Sequence, residues 1–444
     1  MLGIVSLCIH AIPFLACSLN PLGYDTGFYR RYLIQPFSSF PDAPVPGLGS
    51  DAWGPRILLD LLRLLHLQAD VILYGSYLLL CALLPILLFA YLRRPFGQRC
   101  ALLAGLFVIL SPVGYQAYWF MLYKNIFALD LMIIAFIALE SRRTKLAAIF
   151  EIALSLSHAT SAIVYMLTLV PLIVFSPGRR REFGLHLALT ASAFTLVNMP
   201  LVRDASVALP TALFIEWPQY LSLSLPFLVL LALGIERRAL SVPPIPATLV
   251  AFTGASLLYT LMHLPFYERI FVYLDVGLAS LSAYAAFSVI RRIPKAGSNG
   301  SIYAQSAVIC IAFGLLFGNL FSQIHTLQPL MSESAIARIS AVGSIVPSDA
   351  LILTSANEAP WYEGWTAAHI AAPGLLHDTH DLAQWQALWD ATSSAYRIRF
   401  LSSFGEPLYV STLDSYQELV GAVPPCLQKI SSDLFHDACD EAVN

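Results

Sequence analysis

Leu146-Ala-Ala-Ile-Phe-Glu-Ile-Ala-Leu-Ser-Leu-Ser-His-Ala-Thr-Ser-Ala-Ile-Val-Tyr-Met-Leu-Thr-Leu-Val-Pro-Leu-Ile-Val-Phe175 is a run of thirty residues broken only by Glu151 and His158. A helix that crosses a bilayer needs about 20 apolar residues, so this run is long for one crossing and short for two. The flanking charges decide between them. Arg142, Arg143 and Lys145 precede the run, and Arg179, Arg180 and Arg181 follow it. Basic loops gather on the cytoplasmic side, and one crossing would put these two clusters on opposite faces. Two short helices meeting near Ser157–His158 keep both on one face.

Outward from this hairpin, apolar stretches recur at roughly 3–19, 71–92, 101–118, 122–140, 185–202, 219–235, 246–264, 270–290 and 303–323. Arg93, Arg94 and Arg99 follow the second span, Arg237 and Arg238 the eighth, and Arg291, Arg292 and Lys295 the tenth. Every even-numbered connection is thus basic. The expected fold is an all-α polytopic membrane protein of about eleven transmembrane helices, with the N-terminus cytoplasmic. Met1–Leu19 lacks a basic leader and a good cleavage site, so a retained first helix is expected rather than a signal peptide.

Composition agrees, with 57% hydrophobic and only 12% charged residues. Charge then divides the chain. Residues 1–324 hold 21 Lys/Arg and 14 Asp/Glu, whereas 325–444 hold 4 and 14. The first part reads as the membrane domain, with a first external loop at 20–70. The second reads as a small acidic α/β domain outside the cytoplasm. In it, an amphipathic helix is expected at about 333–346, a strand at Leu351–Thr354 and a helix over His380–Asp390. Cys426 and Cys439, its two cysteines, are a disulfide candidate in an oxidising compartment. No phosphate-cradling glycine loop, Cys/His zinc array or nucleophile elbow is present, and nothing supports a nucleic-acid partner.

Candidate chemistry concentrates on the outer face. Asp25 follows the first span in Asn20-Pro-Leu-Gly-Tyr-Asp-Thr-Gly-Phe-Tyr-Arg-Arg-Tyr-Leu33. If Gly23 ends one helix and another begins, Asp25, Phe28, Tyr29 and Tyr32 share a face. A carboxylate beside aromatics at the interface suits a general base; the blander reading is a helix N-cap within an aromatic belt. Lys124, Arg203 and Arg269 break the positive-inside pattern on that same face. Each suits a lipid phosphate, and each also suits plain snorkelling to headgroups. If the three distant residues Asp25, Lys124 and Arg269 serve one reaction, they must line one cavity, with the carboxylate standing off from the cations to leave room for sugar and acceptor. His158 is a candidate metal or phosphate ligand, or a helix-end hydrogen-bonding group. Asp130, Glu151 and Asp275 fall inside spans and suit either a transporter's ion path or internal pairs. His377-Asp-Thr-His380 has a weak metal-ligand spacing.

With its first helix, long external loop opening on Gly23-Tyr24-Asp25, many spans and C-terminal domain, the layout resembles the GT-C integral-membrane glycosyltransferases that use polyprenyl-phosphate-linked sugars. Protein O-mannosyltransferases, aminoarabinose transferases and oligosaccharyltransferases are among them. Lys124-Asn125 and Glu268-Arg269 sit where that family tends to place phosphate-binding groups. Ser157-His158-Ala159-Thr160 and the C-terminal runs Ala359–Trp365 and Ala372–Gly374 are also similar to bacterial relatives. The chain departs from the family in lacking the paired acidic dipeptide of some members and the Trp-Trp-Asp motif of oligosaccharyltransferases.

The resemblance implies an inverting transfer of a hexosyl or pentosyl group to a glycan, lipid or protein acceptor at the outer face. Asp25 would be the base, and Lys124, Arg269 and Arg203 the donor-phosphate ligands. Tyr29, Asp51, His158 and Glu268 would supply further substrate or metal contacts. A divalent metal with Asp25 and His158 as ligands is open, and no nucleotide cofactor is expected, since the lipid-linked donor arrives activated. Rival readings are a polysaccharide polymerase or O-antigen ligase, which carry their large external loop between late spans, and a transporter, which shows internal repeats.

Overall fold

The computed structural model describes residues 1–16, 22–34, 53–204, 214–236, 245–292, 299–373, 380–390, 394–404, 407–413 and 424–438. Helices come first: α1 (Leu2–Ala16), α2 (Thr26–Ile34), α3 (Trp53–Arg63), α4 (Ala69–Phe96), α5 (Gln98–Ile109), α6 (Pro112–Trp119) and α7 (Tyr123–Glu140). They continue as α8 (Thr144–Ser157), α9 (Ala159–Phe175), α10 (Arg180–Asp204), α11 (Trp217–Glu236), α12 (Ala247–Leu261), α13 (Tyr267–Arg292) and α14 (Asn299–Thr326). Among the described residues, four helices are long and apolar enough to cross a membrane, and up to six if each bent pair counts once. The chain is a multi-pass membrane protein.

The thirty-residue run breaks at His158. Its backbone is extended, at φ −161° and ψ 113°. The His158 N–H closes α8 on the Leu154 carbonyl, and its own carbonyl opens α9 by accepting from Ala162 N–H. A second break divides the stretch expected at 101–118, where α5 and α6 meet at 47°. Ser111 caps α6 there by accepting from Gly114 N–H at 2.9 Å, and Pro112 follows at the position where its missing N–H costs nothing.

Packing follows the rules of a lipid solvent, in which helices associate by close approach rather than by hydrophobic gain. Small residues line the contacts: Ala279, Ala283 and Ala286 on α13, Ala101 and Ala104 on α5, Ala128 and Ala135 on α7, all buried. Helix α13 is the central post, its apolar window 89% buried, whereas α14 is peripheral at 22%. Large apolar side chains such as Phe175, Leu196 and Phe321 project outward, as a lipid-facing surface requires.

After α14 come α15 (Glu333–Ile345), β1 (Leu351–Leu353), α16 (Ala359–Trp365), β2 (His369–Ala371), α17 (Leu382–Asp390), α18 (Ser394–Leu401), β3 (Leu408–Ser411), β4 (Leu427–Ser431) and β5 (Leu434–Asp437). The sheet order is β2-β1-β3-β5-β4, parallel between β1 and its neighbours β2 and β3, antiparallel from β3 onward. Alternation along β1 sends Ile352 to a cluster with Ile339, Trp361 and Tyr362, and Leu353 to another with Trp385, Trp389 and Phe400. Helices α15 and α16 therefore cover one face of the sheet, and α17 and α18 the other. Cys426 is held in a disulfide; Cys439, its candidate partner, lies outside the described residues.

Candidate active site

Gly23 explains how the first loop reaches the bundle. A Cβ on it would fall 2.0 Å from the Phe120 carbonyl carbon, so only glycine lets the loop backbone lie against the α6–α7 turn. That turn is itself tight, with Met121 at φ 55°. Helix α2 starts immediately afterwards, and the Tyr29 N–H donates to the Asp25 carbonyl. Asp25, 8% exposed, is thereby aimed at the N-terminal end of α13.

There, Arg269 Nη1 donates to Asp25 Oδ2 at 3.1 Å, in a half-buried ion pair joining residues 244 positions apart. This is the carboxylate's hydrogen-bond partner among the described residues, and no N–H of its own helix takes that role. The expectation that Asp25 stands off from the cations is thus corrected for Arg269. Opposite charges at a largely buried site attract strongly enough to hold this contact. Arg269 also lies over the Phe266 ring at 5.5 Å.

Around the pair, Tyr24 and Tyr29 both feel the Asp25 and Arg269 charges, and burial drives both phenols well above their ordinary range. The Tyr29 hydroxyl accepts from Lys124 N–H at 3.3 Å, which ties α2 to the first turn of α7. Lys124 is 9% exposed. Both Lys124 and Arg269 bear electrostatically on the buried His158 imidazole. The His158 ring shares hydrogen bonds with Ser161 at 2.5 Å and Thr160 at 3.2 Å. From Ser161 the chain of bonds runs to the Tyr273 hydroxyl at 2.5 Å, which donates to the Asn125 carbonyl at 2.8 Å. The helix break thus faces the residues that lead α7 and α13.

Among the described residues, the remaining expected contacts do not join the Asp25–Arg269 pair. Glu268 Oε2 accepts from Phe214 N–H at 3.4 Å. Arg203 falls in the last turn of α10, whose side chains are outside the described residues, as are Asp51 and His377. His380 Nε2 meets Ser403 Oγ at 3.0 Å. The intramembrane carboxylates sit apart. Glu151 accepts from Tyr165 at 2.5 Å and pairs with His186 at 2.8 Å, while Asp275 accepts from Ser111 at 2.5 Å and Ser224 at 3.0 Å. Among the described residues the Asp130 oxygens meet no hydrogen-bond partner. Glu151 and Asp275 thus each have local partners, on different helices. Among the described residues no three His, Cys, Asp or Glu come together to hold a divalent metal, and Arg269 bonds Asp25, while Asp51 lies outside those residues.

The C-terminal unit supplies a part of the site that sequence reasoning missed. The Tyr24 hydroxyl donates to the Ala356 carbonyl at 2.6 Å, and its ring meets Trp361 edge-on at 5.9 Å. Arg30 bonds Asp70 at 2.8 Å and lies over Trp365 at 4.6 Å. Arg31 is buried against the end of α16. The available signal was the pair Arg30-Arg31 in a loop that the basic-loop pattern reads as external, where the positive-inside rule gives no reason for two cations.

Glu363 lies beneath this seam, 3.9 Å from Arg31. Burial pushes its carboxyl up to about 8 from the usual 4.5, although the Arg31 guanidinium pulls the other way. The folded state therefore holds this proton more tightly than the unfolded chain does. Its contribution to stability is complete below pH 4.5 and is lost as pH rises through about 8. Thermal unfolding of Glu363→Gln in detergent should gain on the parent between pH 5 and 9; parallel profiles would contradict this.

No protein-family model and no curated protein sequence matches the chain. Solved structures do. An Archaeoglobus fulgidus oligosaccharyltransferase in complex with Zn and sulfate superposes with TM-score 0.66 and 10% identity, over 93% of this chain and 68% of that one. ArnT from Cupriavidus metallidurans bound to undecaprenyl phosphate gives 0.56 and 14%, over 98% and 97%. The mycobacterial arabinofuranosyltransferase AftD gives 0.52 and 16%, over 92% of this chain and 36% of its own. The fold is that of the GT-C membrane glycosyltransferases.

Proposed function

We propose that the protein transfers a sugar from a polyprenyl-phosphate donor to a hydroxyl acceptor at the extracytoplasmic face of the membrane. The observation that carries this reading is the Asp25–Arg269 ion pair, with the Lys124 backbone tied to the same helix through Tyr29. These are a base and a cationic cradle at the ends of spans, in a fold shared with transferases. One of those was solved with undecaprenyl phosphate, which matches the chemistry that Arg269 and Lys124 would bind.

The step balances simply. The acceptor oxygen attacks the anomeric carbon on the face opposite the phosphate and forms the new glycosidic bond. The bond between that carbon and the phosphate oxygen breaks, and polyprenyl phosphate leaves with the bonding pair. Asp25 takes the acceptor proton. Arg269 and Lys124 stabilise charge that grows on the phosphate as the bond breaks. The contact pair makes the donor a switch. An arriving phosphate competes for Arg269, and Asp25 is released toward the acceptor. No step is routed through a metal.

This reading takes all eleven apolar helices as crossings, with the N-terminus cytoplasmic and residues 325–444 an external domain. The test is direct. Proteoliposomes given polyprenyl-phosphate sugars from host membranes should release polyprenyl phosphate and glycosylate an acceptor fraction. Reporter fusions after Arg94, Arg181 and Arg292 should read cytoplasmic, and fusions within 340–444 external. A cytoplasmic C-terminal reporter would remove the reading.

A further inference from the structure

Helix α2 and the two residues that lead into it present two working faces. Asp25, Tyr29 and Tyr32 turn toward the bundle, and Tyr24, Gly27 and Arg31, spaced three and four residues apart, turn toward α16. A Cβ on Gly27 would lie 1.6 Å from the Pro360 carbonyl oxygen, and one on Gly364 would lie 2.6 Å from the Gly27 Cα. The two backbones therefore touch, and neither position admits a side chain without separating the helices.

Arg31 fixes the register of that contact. Fully buried, its guanidinium donates to the Thr366 carbonyl and to those of Glu363 at 3.4 Å, Ala367 at 3.2 Å and Ala368 at 3.3 Å. These carbonyls lie at and just beyond the end of α16, where a helix runs out of internal donors. Arg30 adds a bond to the Gly364 carbonyl at 2.5 Å. A planar fork with five N–H donors can satisfy such a divergent set; an ammonium cannot.

We infer that Arg31 is a positioning residue, which docks α2 on α16 in one register and thereby sets where the Asp25 carboxylate stands against Arg269. The inference rests on the reading of Asp25 as the base, and it makes residues 356–368 part of the reaction site though none of them need touch substrate. Arg31 acts only through α2. Its loss leaves the cations that hold the donor phosphate untouched but misplaces the base.

The experiment uses the full chain in detergent and in proteoliposomes, comparing Arg31→Gln and Arg31→Lys with Arg397→Gln. Arg397 is an equally buried arginine that donates to the Leu388 and Trp389 carbonyls at 2.8 and 2.7 Å, away from α2. Hydrogen exchange of the 26–34 peptide should rise at least tenfold in the Arg31 variants, with α13 peptides unchanged. Turnover should fall about tenfold or more, while affinity for undecaprenyl phosphate stays within threefold. Arg397→Gln should change neither quantity per folded molecule. Where Arg31→Gln does not fold, Arg31→Lys and Gly27→Ala carry the same expectations. Unchanged exchange in α2, or equal losses in turnover and lipid-phosphate affinity, would overturn the inference. A parent chain that neither transfers sugar nor binds undecaprenyl phosphate defeats the functional reading instead, and the exchange arm alone then decides the docking of α2.

Discussion

Asp25→Asn should bind undecaprenyl phosphate at least as tightly as the parent chain, since no carboxylate then competes for Arg269, and transfer sugar roughly 10² times more slowly, or worse. Asparagine keeps the size of the side chain and can still accept a hydrogen bond from Arg269, so the geometry at the end of α13 survives. What it loses is the capacity to take a proton from the acceptor hydroxyl. A helix-capping role predicts a different result, a stability loss of about 1 kcal/mol with full activity in the folded fraction. The structure already weighs against capping, since the carboxylate bonds a guanidinium 244 residues away rather than an N–H of its own helix. Steady-state rates and lipid-phosphate affinity, measured on the same preparation, separate the two roles.

Arg269→Ala should cost more, because it removes two things at once. Phosphate charge grows as the glycosidic bond breaks, so kcat should fall by about 10² to 10³ and lipid-phosphate affinity should fall with it. The substitution also strands the buried Asp25 carboxylate without its partner, a penalty beyond the loss of one hydrogen bond. Stability should therefore drop, and adding Asp25→Asn to Arg269→Ala should recover much of it without recovering activity. Arg269→Lys should restore part of the affinity, since a point charge replaces a fork. A double variant no more stable than Arg269→Ala would show that the two side chains are not energetically coupled.

Much of this was legible in the residues, and the rest was hidden for definable reasons. The hairpin of α8 and α9 was readable because lipid fixes the length of a crossing and charge fixes its sides. The junction landed on His158 as expected. Gly23, Asp25, Lys124 and Arg269 could be assembled on one face from topology alone. Their distances could not, and Asp25 and Arg269 stand in direct contact where the space needed for sugar and acceptor predicts a gap. The seam between α2 and α16 was invisible because its partners lie more than 330 residues apart and make no periodic pattern. Arg31 reads as a loop cation until the carbonyls it serves are in view. Glu151 and Asp275 read equally as a path or as pairs, since hydropathy reports the cost of a buried charge but not its partner.

One structure tests the account most directly: the protein determined by electron microscopy with undecaprenyl phosphate added. The account predicts phosphate oxygens within hydrogen-bonding reach, about 3 Å, of Arg269 and Lys124, with the Asp25–Arg269 contact opened and the carboxylate facing the space left for acceptor. A phosphate bound elsewhere, with Asp25 still closed on Arg269, would contradict it.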